Sequence, residues 1–198
     1  MKKNIFITGS AGFIGFSLAK SLLDRGHRIH GYDGMTKYYD VRLKRERNKI
    51  LKTYKNFSFT KAMLENENTL KKAITKFKPK IIIHLAAQPG VRYSIEKPRT
   101  YLSSNITGTF NIIESAHKAK VNHLILASSS SVYGANTHIP YSEIDKTQTQ
   151  LSVYAATKKA TESIAHAYSN LWKLPTTMLR FFTVYGPWGR PDMALFKF

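Results

Sequence analysis

A short apolar run that breaks into evenly spaced glycines and then into a helical pattern constrains this chain more than any other feature. Lys3-Asn-Ile-Phe-Ile-Thr8 reads as a strand. It runs into Gly9-Ser-Ala-Gly12-Phe-Ile-Gly15, and residues 16–25 follow with Leu18, Leu22 and Leu23 at helical spacing. Strand, glycine turn and helix in that order make a phosphate cradle, because the helix N-terminus offers unpaired N–H groups to an anion. Gly9 permits the tight turn, Gly12 lets the backbone approach a pyrophosphate, and Gly15 lets the helix pack closely. With Phe13 and Ile14 between the glycines, this is the expected cofactor-binding turn. Its G-x-x-G-x-x-G spacing differs from the G-x-G-x-x-G fingerprint, so the strand–helix context carries the reading.

From there strands and helices alternate. Arg28-Ile-His-Gly-Tyr32 is a second strand ending at Asp33, 18 residues after Gly15. An acid there suits both ribose hydroxyls and repels a 2′-phosphate, which favours NAD over NADP. The alternative is a surface Asp in the turn before Gly34. Residues 37–55 read as an exposed amphipathic helix on Leu43, Ile50, Leu51 and Tyr54, with Arg42, Lys44, Arg45, Arg47 and Lys49 as its solvated face. A strand over 56–60 and a helix over 67–77 follow.

Lys80-Ile-Ile-Ile-His-Leu-Ala86 is an unbroken apolar run, as a central parallel strand covered on both faces requires. His84 at its end reads as a satisfied core histidine. No second His or carboxylate stands at metal spacing, so no metal is expected. Leu85, Ala86 and Ala87 lead into a loop of small residues with room for a cofactor. Arg92, that loop's only charge, either reaches a phosphate or carboxylate or lies on the surface. A helix over 105–119 (Ile106, Phe110, Ile113, Ala116), a strand over 122–127, a helix over 154–172 and a strand over 176–181 complete the series. The alternation implies an α/β fold: a doubly wound parallel sheet of Rossmann type. Residues 1–180 form the expected dinucleotide-binding domain. Residues 181–198 open a substrate-binding region that is otherwise mostly absent.

Chemistry concentrates in Leu151-Ser-Val-Tyr-Ala-Ala-Thr-Lys-Lys159. On a helix, Tyr154 and Lys158 share a face. A phenol ionises near pH ~10, and a cation beside it favours the phenolate. Bringing that value to about 7 takes roughly 4 kcal/mol, a reasonable demand on a lysine plus a bound cofactor cation. The result is a base poised to take a proton from an alcohol. Tyr-x-x-x-Lys alone is common on helix faces. What strengthens it is Ser128-Ser-Ser-Ser131, four hydroxyls at the carboxyl end of a strand, where doubly wound sheets bind ligands. Such a hydroxyl can hydrogen-bond a substrate alcohol and share a proton with Tyr154.

Composition limits the partners. The formal charge is +19, and residues 20–80 hold 17 Lys/Arg against 6 Asp/Glu. Such a surplus can attract nucleic acid, reflect a Lys-rich proteome, or draw in a phosphate-bearing substrate. No nucleic-acid motif accompanies it, so nucleic acid is not the expected partner. There is no cysteine, hence no disulfide or thiolate site. No apolar run reaches the ~18 residues of a membrane span, and the N-terminal apolar run is too short for a signal peptide. A cytoplasmic protein is expected. The stripe Ile164, Ala167, Tyr168 and Leu171, beside that of the 105–119 helix, suits packing against a second copy as a homodimer.

Together these pieces resemble the extended short-chain dehydrogenase/reductase family, and within it the nucleotide-sugar epimerases of the UDP-glucuronate 4-epimerase type. The matching segments are Thr8-Gly-Ser-Ala-Gly-Phe-Ile-Gly15, His84-Leu-Ala-Ala-Gln88, Gly90-Val-Arg-Tyr-Ser94, residues 128–134, Tyr154-Ala-Ala-Thr-Lys-Lys159 and residues 179–194, in family order. The resemblance implies NAD as cofactor and a UDP-sugar as substrate. Tyr154 would be the base on the sugar 4-hydroxyl. Lys158 would support it and the NAD ribose, Ser129 would be the catalytic hydroxyl, and Ser130 would assist. NAD would take hydride from C4 and return it to the other face of a transient 4-keto sugar. Arg190 would pair with the glucuronate carboxylate, and Thr183 would touch the substrate. Asn105 joins the implied cofactor contacts, and Arg92 and Ser130 the implied substrate contacts.

Three positions depart from the family pattern: Met63 where an acid is usual, Gly34 where Asn commonly follows the ribose acid, and Pro89 in place of a small residue. Family members also continue well past residue 198, so a shortened chain that binds UDP-sugar poorly by itself is expected. The rival readings are a non-catalytic NAD-binding or dimerising remnant, and a UDP-glucose 4-epimerase, decarboxylase or dehydratase on the same frame.

Overall fold

In the computed structural model, which describes residues 2–193, the alternation becomes one parallel sheet. Its strands are β1 (Asn4–Thr8), β2 (Arg28–Asp33), β3 (Phe57–Lys61), β4 (Ile81–His84), β5 (His123–Ser129) and β6 (Thr176–Phe181), in the order β3-β2-β1-β4-β5-β6. The chain winds one way from β1 to β3, then returns to the other side of β1. At that reversal the crossovers diverge and leave a crevice beyond the carboxyl ends of β1 and β4.

Alternation of side chains across the pleat builds two cores. Phe6 of β1 and Ile82 of β4 enter one, with Leu70, Ile74, Ile112, Ile113 and Leu126. Ile5, Ile7 and Ile83 enter the other, with Phe16, Ala19, Leu23 and Leu51. Helices α1 (Phe13–Asp24) and α2 (Val41–Leu51) cover the second core, and α3 (Glu67–Phe77), α6 (Gly108–Lys118) and α7 (Val153–Trp172) the first. Asp40, Asn66 and Ser152 cap α2, α3 and α7 by accepting from the backbone N–H groups of Arg42, Thr69 and Ala155. His84 bridges Thr8 Oγ1 and Thr109 Oγ1 at 2.7 and 2.9 Å. Burial, with the charge of Lys158 nearby, pushes it down to about 3, so it is a neutral core residue.

Four expectations need correction. The loop expected over 86–94 contains a short helix, α4 (Val91–Glu96), followed by α5 (Pro98–Tyr101). The helix expected from 105 begins earlier and passes through a π-helical stretch, Leu102–Thr107. The wider turn shifts the register of the apolar positions, which is why a 3.6-residue pattern found only its second half. Ile113 and Ala116, assigned to a dimer stripe, are buried in this chain's own core, as is Tyr168 for the most part. Phe110, Leu171 and Trp172 stay exposed. The basic run of α2 is not wholly solvated either. Lys44, Arg47, Asn48 and Leu51 form its buried face, because backbone carbonyls from other segments satisfy the cations.

Candidate active site

The crevice at the reversal point has a volume of about 420 Å³. Its floor is the glycine-rich turn. Gly9 has φ +71°, and a Cβ there would lie 2.7 Å from the Ala86 nitrogen. A Cβ on Gly15 would lie 2.1 Å from the Gly9 carbonyl oxygen. The turn thus folds its own carbonyl beneath the start of α1, in space that only glycine leaves free. Gly12, Phe13 and Ile14 complete this wall, and Leu85, Ala86 and Ala87 at the end of β4 form the facing one.

Asp33, at the end of β2, also lines the crevice. Its Oδ2 accepts from Ala11 N–H at 3.0 Å and its Oδ1 from Met35 N–H at 2.8 Å. A carboxylate has about four lone-pair sites, so two remain for a pair of hydroxyls. The backbone fixes its orientation before any ligand arrives. The departures at positions 34 and 63 are one feature. A Cβ on Gly34 would meet Met63 Sδ at 2.3 Å, so the glycine makes room for the thioether, and both line the crevice. Pro89 turns its carbonyl to Tyr101 Oη, which donates to it at 2.7 Å.

On the opposite side α7 and the end of β5 contribute Tyr154, Lys158, Ser129 and Ser130, and Thr183 and Arg190 line the rim. Lys158 is buried and donates to the Ala127 carbonyl at 2.8 Å. Burial of its ammonium pulls it down to about 8. Among the described residues the other two of its three N–H donors have no protein partner. At Tyr154 the protein's own groups act against the ionisation expected with Lys158 and a bound cofactor cation together. Burial pushes its phenol up, and the nearby Ser129 hydroxyl and the charge of Arg190 pull it back only in part. Low polarity around the ring outweighs Ser129 and the Arg190 charge, and a further positive charge in the crevice is what would tip the balance.

Asn105 and Arg92 stand outside the crevice. The Asn105 amide is buried, accepts from Gln88 N–H at 2.7 Å and donates to the Gln88 carbonyl and Thr157 Oγ1 at 3.2 and 3.1 Å. The π-helical stretch turns it inward to tie the loop after β4 to α7. Arg92 is exposed on α4, where water solvates it.

Several residues at the site escaped the sequence reading. Glu162 lies one helical turn beyond Lys158 and is buried. It accepts from Ser128 Oγ at 2.6 Å and from Arg180 Nε and Nη2 at 3.0 and 3.1 Å. Although burial opposes it, the Arg180 and Ser128 hydrogen bonds hold its carboxyl below the ordinary range. It locks α7, β5 and β6 together behind the serines. Its i+4 spacing from Lys158 was the available signal. Asp192 takes the Arg190 fork, with Arg190 Nε donating to it at 3.0 Å and Tyr38 Oη at 3.2 Å. Arg190 is thus held beside the crevice by an internal carboxylate. Among the described residues no group of three or more His, Cys, Asp and Glu could hold a metal ion, and no helix is long and apolar enough to cross a membrane.

This geometry defines a class: a Rossmann-type dinucleotide-binding fold with a phenol, a hydroxyl and an ammonium gathered beside the glycine-rich turn. Within that class, the profile of the NAD dependent epimerase/dehydratase family matches residues 5–198, and the chain belongs to that family. It is 55% identical over 192 residues to a probable UDP-glucuronate 4-epimerase of Rhizobium meliloti (strain 1021), covering 97% of this chain and 56% of the relative. It is 57% identical over 194 residues to protein CapI of Staphylococcus aureus, covering 98% and 58%. The fold matches a UDP-glucuronic acid 4-epimerase of Bacillus cereus, solved with UDP-glucuronic acid and NAD, at a TM-score of 0.90 and 34% identity, over 98% of this chain and 60% of that one. The chain therefore spans less than two thirds of the length of these relatives.

Proposed function

We propose that this chain carries the NAD-binding and proton-transfer half of a UDP-sugar 4-epimerase, interconverting UDP-glucuronate and UDP-galacturonate. One observation carries the reading: Tyr154, Ser129 and Lys158 line the same crevice as the glycine-rich turn and Asp33. The residues fit NAD. The glycines let the turn fold back on its own backbone and line the crevice without side chains, and Asp33 keeps free acceptor sites for the ribose. Bound NAD would supply a hydride acceptor facing the sugar C4, and its positive ring charge would favour an ionised phenol beside it.

The chain's own residues move the proton. Tyr154 Oη takes the 4-hydroxyl proton as the C4–H bond breaks, leaving a ketone, and returns it to O4 when that bond re-forms on the other face. Ser129, beside Tyr154, hydrogen-bonds the same oxygen, and Lys158 stabilises the phenolate. Arg190 on the rim gives an acidic sugar its charge partner once Asp192 releases the fork. Residues 1–180 form the cofactor domain, and residues 181–198 open the substrate region. Residues 194–198 lie outside the described residues. The names of the relatives support a nucleotide-sugar enzyme, and the exposed Phe110 and Trp172, both against the Tyr168 ring, together with exposed Leu171, support a homodimer. A cysteine-free chain suits the reducing cytoplasm. Incubation with NAD and UDP-glucuronate, resolving the two UDP-uronates by chromatography, tests the proposal. Conversion that Tyr154→Phe abolishes supports it, whereas NAD-loaded protein that never converts the sugar refutes it for this chain.

A further inference from the structure

Arg47 projects from α2, yet its side chain is fully buried. Among the described residues no carboxylate lies within ion-pair distance of it. Its guanidinium is shared between two loops. Nη1 donates to the Ala11 carbonyl at 3.1 Å, inside the glycine-rich turn, and to Tyr39 Oη at 2.7 Å. Nη2 donates to the Trp188 and Gly189 carbonyls at 2.6 and 3.2 Å. The same two segments touch again where the Trp188 ring packs edge-on against Phe16 at 5.6 Å. Ala11 is held from both sides, since its N–H donates to Asp33. The residue after Gly189 is Arg190, on the crevice rim.

These bonds form one chain: Asp33, Ala11, Arg47, residues 188–189, Arg190. We propose that Arg47 is a positioning residue that transmits occupancy of the cofactor turn to the loop carrying Arg190, so that the acid-sugar contact is set only when the dinucleotide is in place. This rests on the function proposed above. The physical basis is the guanidinium's rigidity. Its five donors lie in one plane, so a shift of the glycine-rich turn tilts the edge that grips 188–189. A buried donor that loses its carbonyl has no water to replace it. An ammonium at this position has no fixed plane and cannot carry the same displacement.

The chain has two tryptophans, so Trp172→Phe leaves Trp188 as the sole reporter. Acrylamide quenching of Trp188 is measured with and without NAD, and NAD affinity is measured separately by calorimetry. In the Arg47 protein NAD is expected to protect Trp188. In Arg47→Lys and Arg47→Met that protection is lost while NAD still binds. In assays on UDP-glucuronate, KM rises about tenfold with kcat little changed, a coupling of ordinary size. Arg47→Lys guards against Arg47→Met failing to fold. NAD binding that leaves Trp188 quenching unchanged in the Arg47 protein overturns the coupling while sparing the cofactor site. Protection that survives in either variant does the same. If NAD does not bind at all, the proposed function falls first, and this inference with it.

Discussion

Replacing Lys158 with Met should make the cofactor-free protein more stable while removing its chemistry. The ammonium is buried and held at about 8, against 10.5 for an ordinary lysine. At about 1.36 kcal/mol for each pH unit between those values, keeping the charge in the fold costs on the order of 3 kcal/mol at pH 7. Met has similar length and no charge. It forfeits the hydrogen bond to the Ala127 carbonyl, worth about 1 kcal/mol, so the net gain is about 2 kcal/mol. The sign follows from proton counting. Below pH 8 both folded and unfolded lysines are charged, and the full penalty applies. Between 8 and 10.5 the unfolded chain binds more protons, so wild-type stability climbs with pH and the advantage of Lys158→Met shrinks. By pH 9.5 it should have lost more than half its size. Buried tyrosines oppose this trend at higher pH, but both proteins share them and they cancel in the difference. Urea unfolding at pH 7 and 9.5 reads the effect. With a slope of about 2 kcal/mol per molar, the midpoint rises by about 1 M at pH 7. A variant less stable at pH 7, or an advantage equal at both pH values, would refute the reasoning.

Gly15→Ala sets two effects against each other: helix propensity favours Ala by about 1 kcal/mol, but its Cβ would lie 2.1 Å from the Gly9 carbonyl oxygen. Overpacking against backbone costs about 1–3 kcal/mol or more, so the urea midpoint and the calorimetric NAD affinity should both fall; an unchanged midpoint would mean that α1 slides freely. Glu162→Gln removes the carboxylate that pairs with Arg180, and breaking a buried pair costs roughly 3–5 kcal/mol. Because the Glu162 carboxyl is held below its ordinary value, its contribution is present above the unfolded pKa and is lost as pH falls through the folded one. Wild type should therefore lose more stability than Glu162→Gln on acidification from pH 6 to 3; parallel acid melts would count against the pairing.

Much of this was legible in the sequence because local chemistry dictated it. The glycine turn, the acid ending β2 and the apolar β4 each carry their signal within a few residues. The helix bearing Tyr154 and Lys158 places both by spacing alone. What was missed depends on contacts between distant segments. Arg47 looks like one more cation in a basic helix until residues 188–189 supply its carbonyls. The amide of Asn105 has no visible partner in the sequence until a π-helical stretch turns it toward Gln88 and Thr157. The opposing push on the Tyr154 phenol was illegible for a related reason. Residue spacing shows the neighbouring cation, whereas burial, which dominates the phenol, depends on the whole fold.

The central claim is that hydrogen leaves C4 of the sugar and comes back to the same carbon inside the crevice. Conversion of UDP-glucuronate in heavy water, with NMR of the isolated UDP-galacturonate, tests this most directly. The product is expected to carry no deuterium at C4. Deuterium at that carbon, or an equal rate of conversion by Tyr154→Phe, would contradict it.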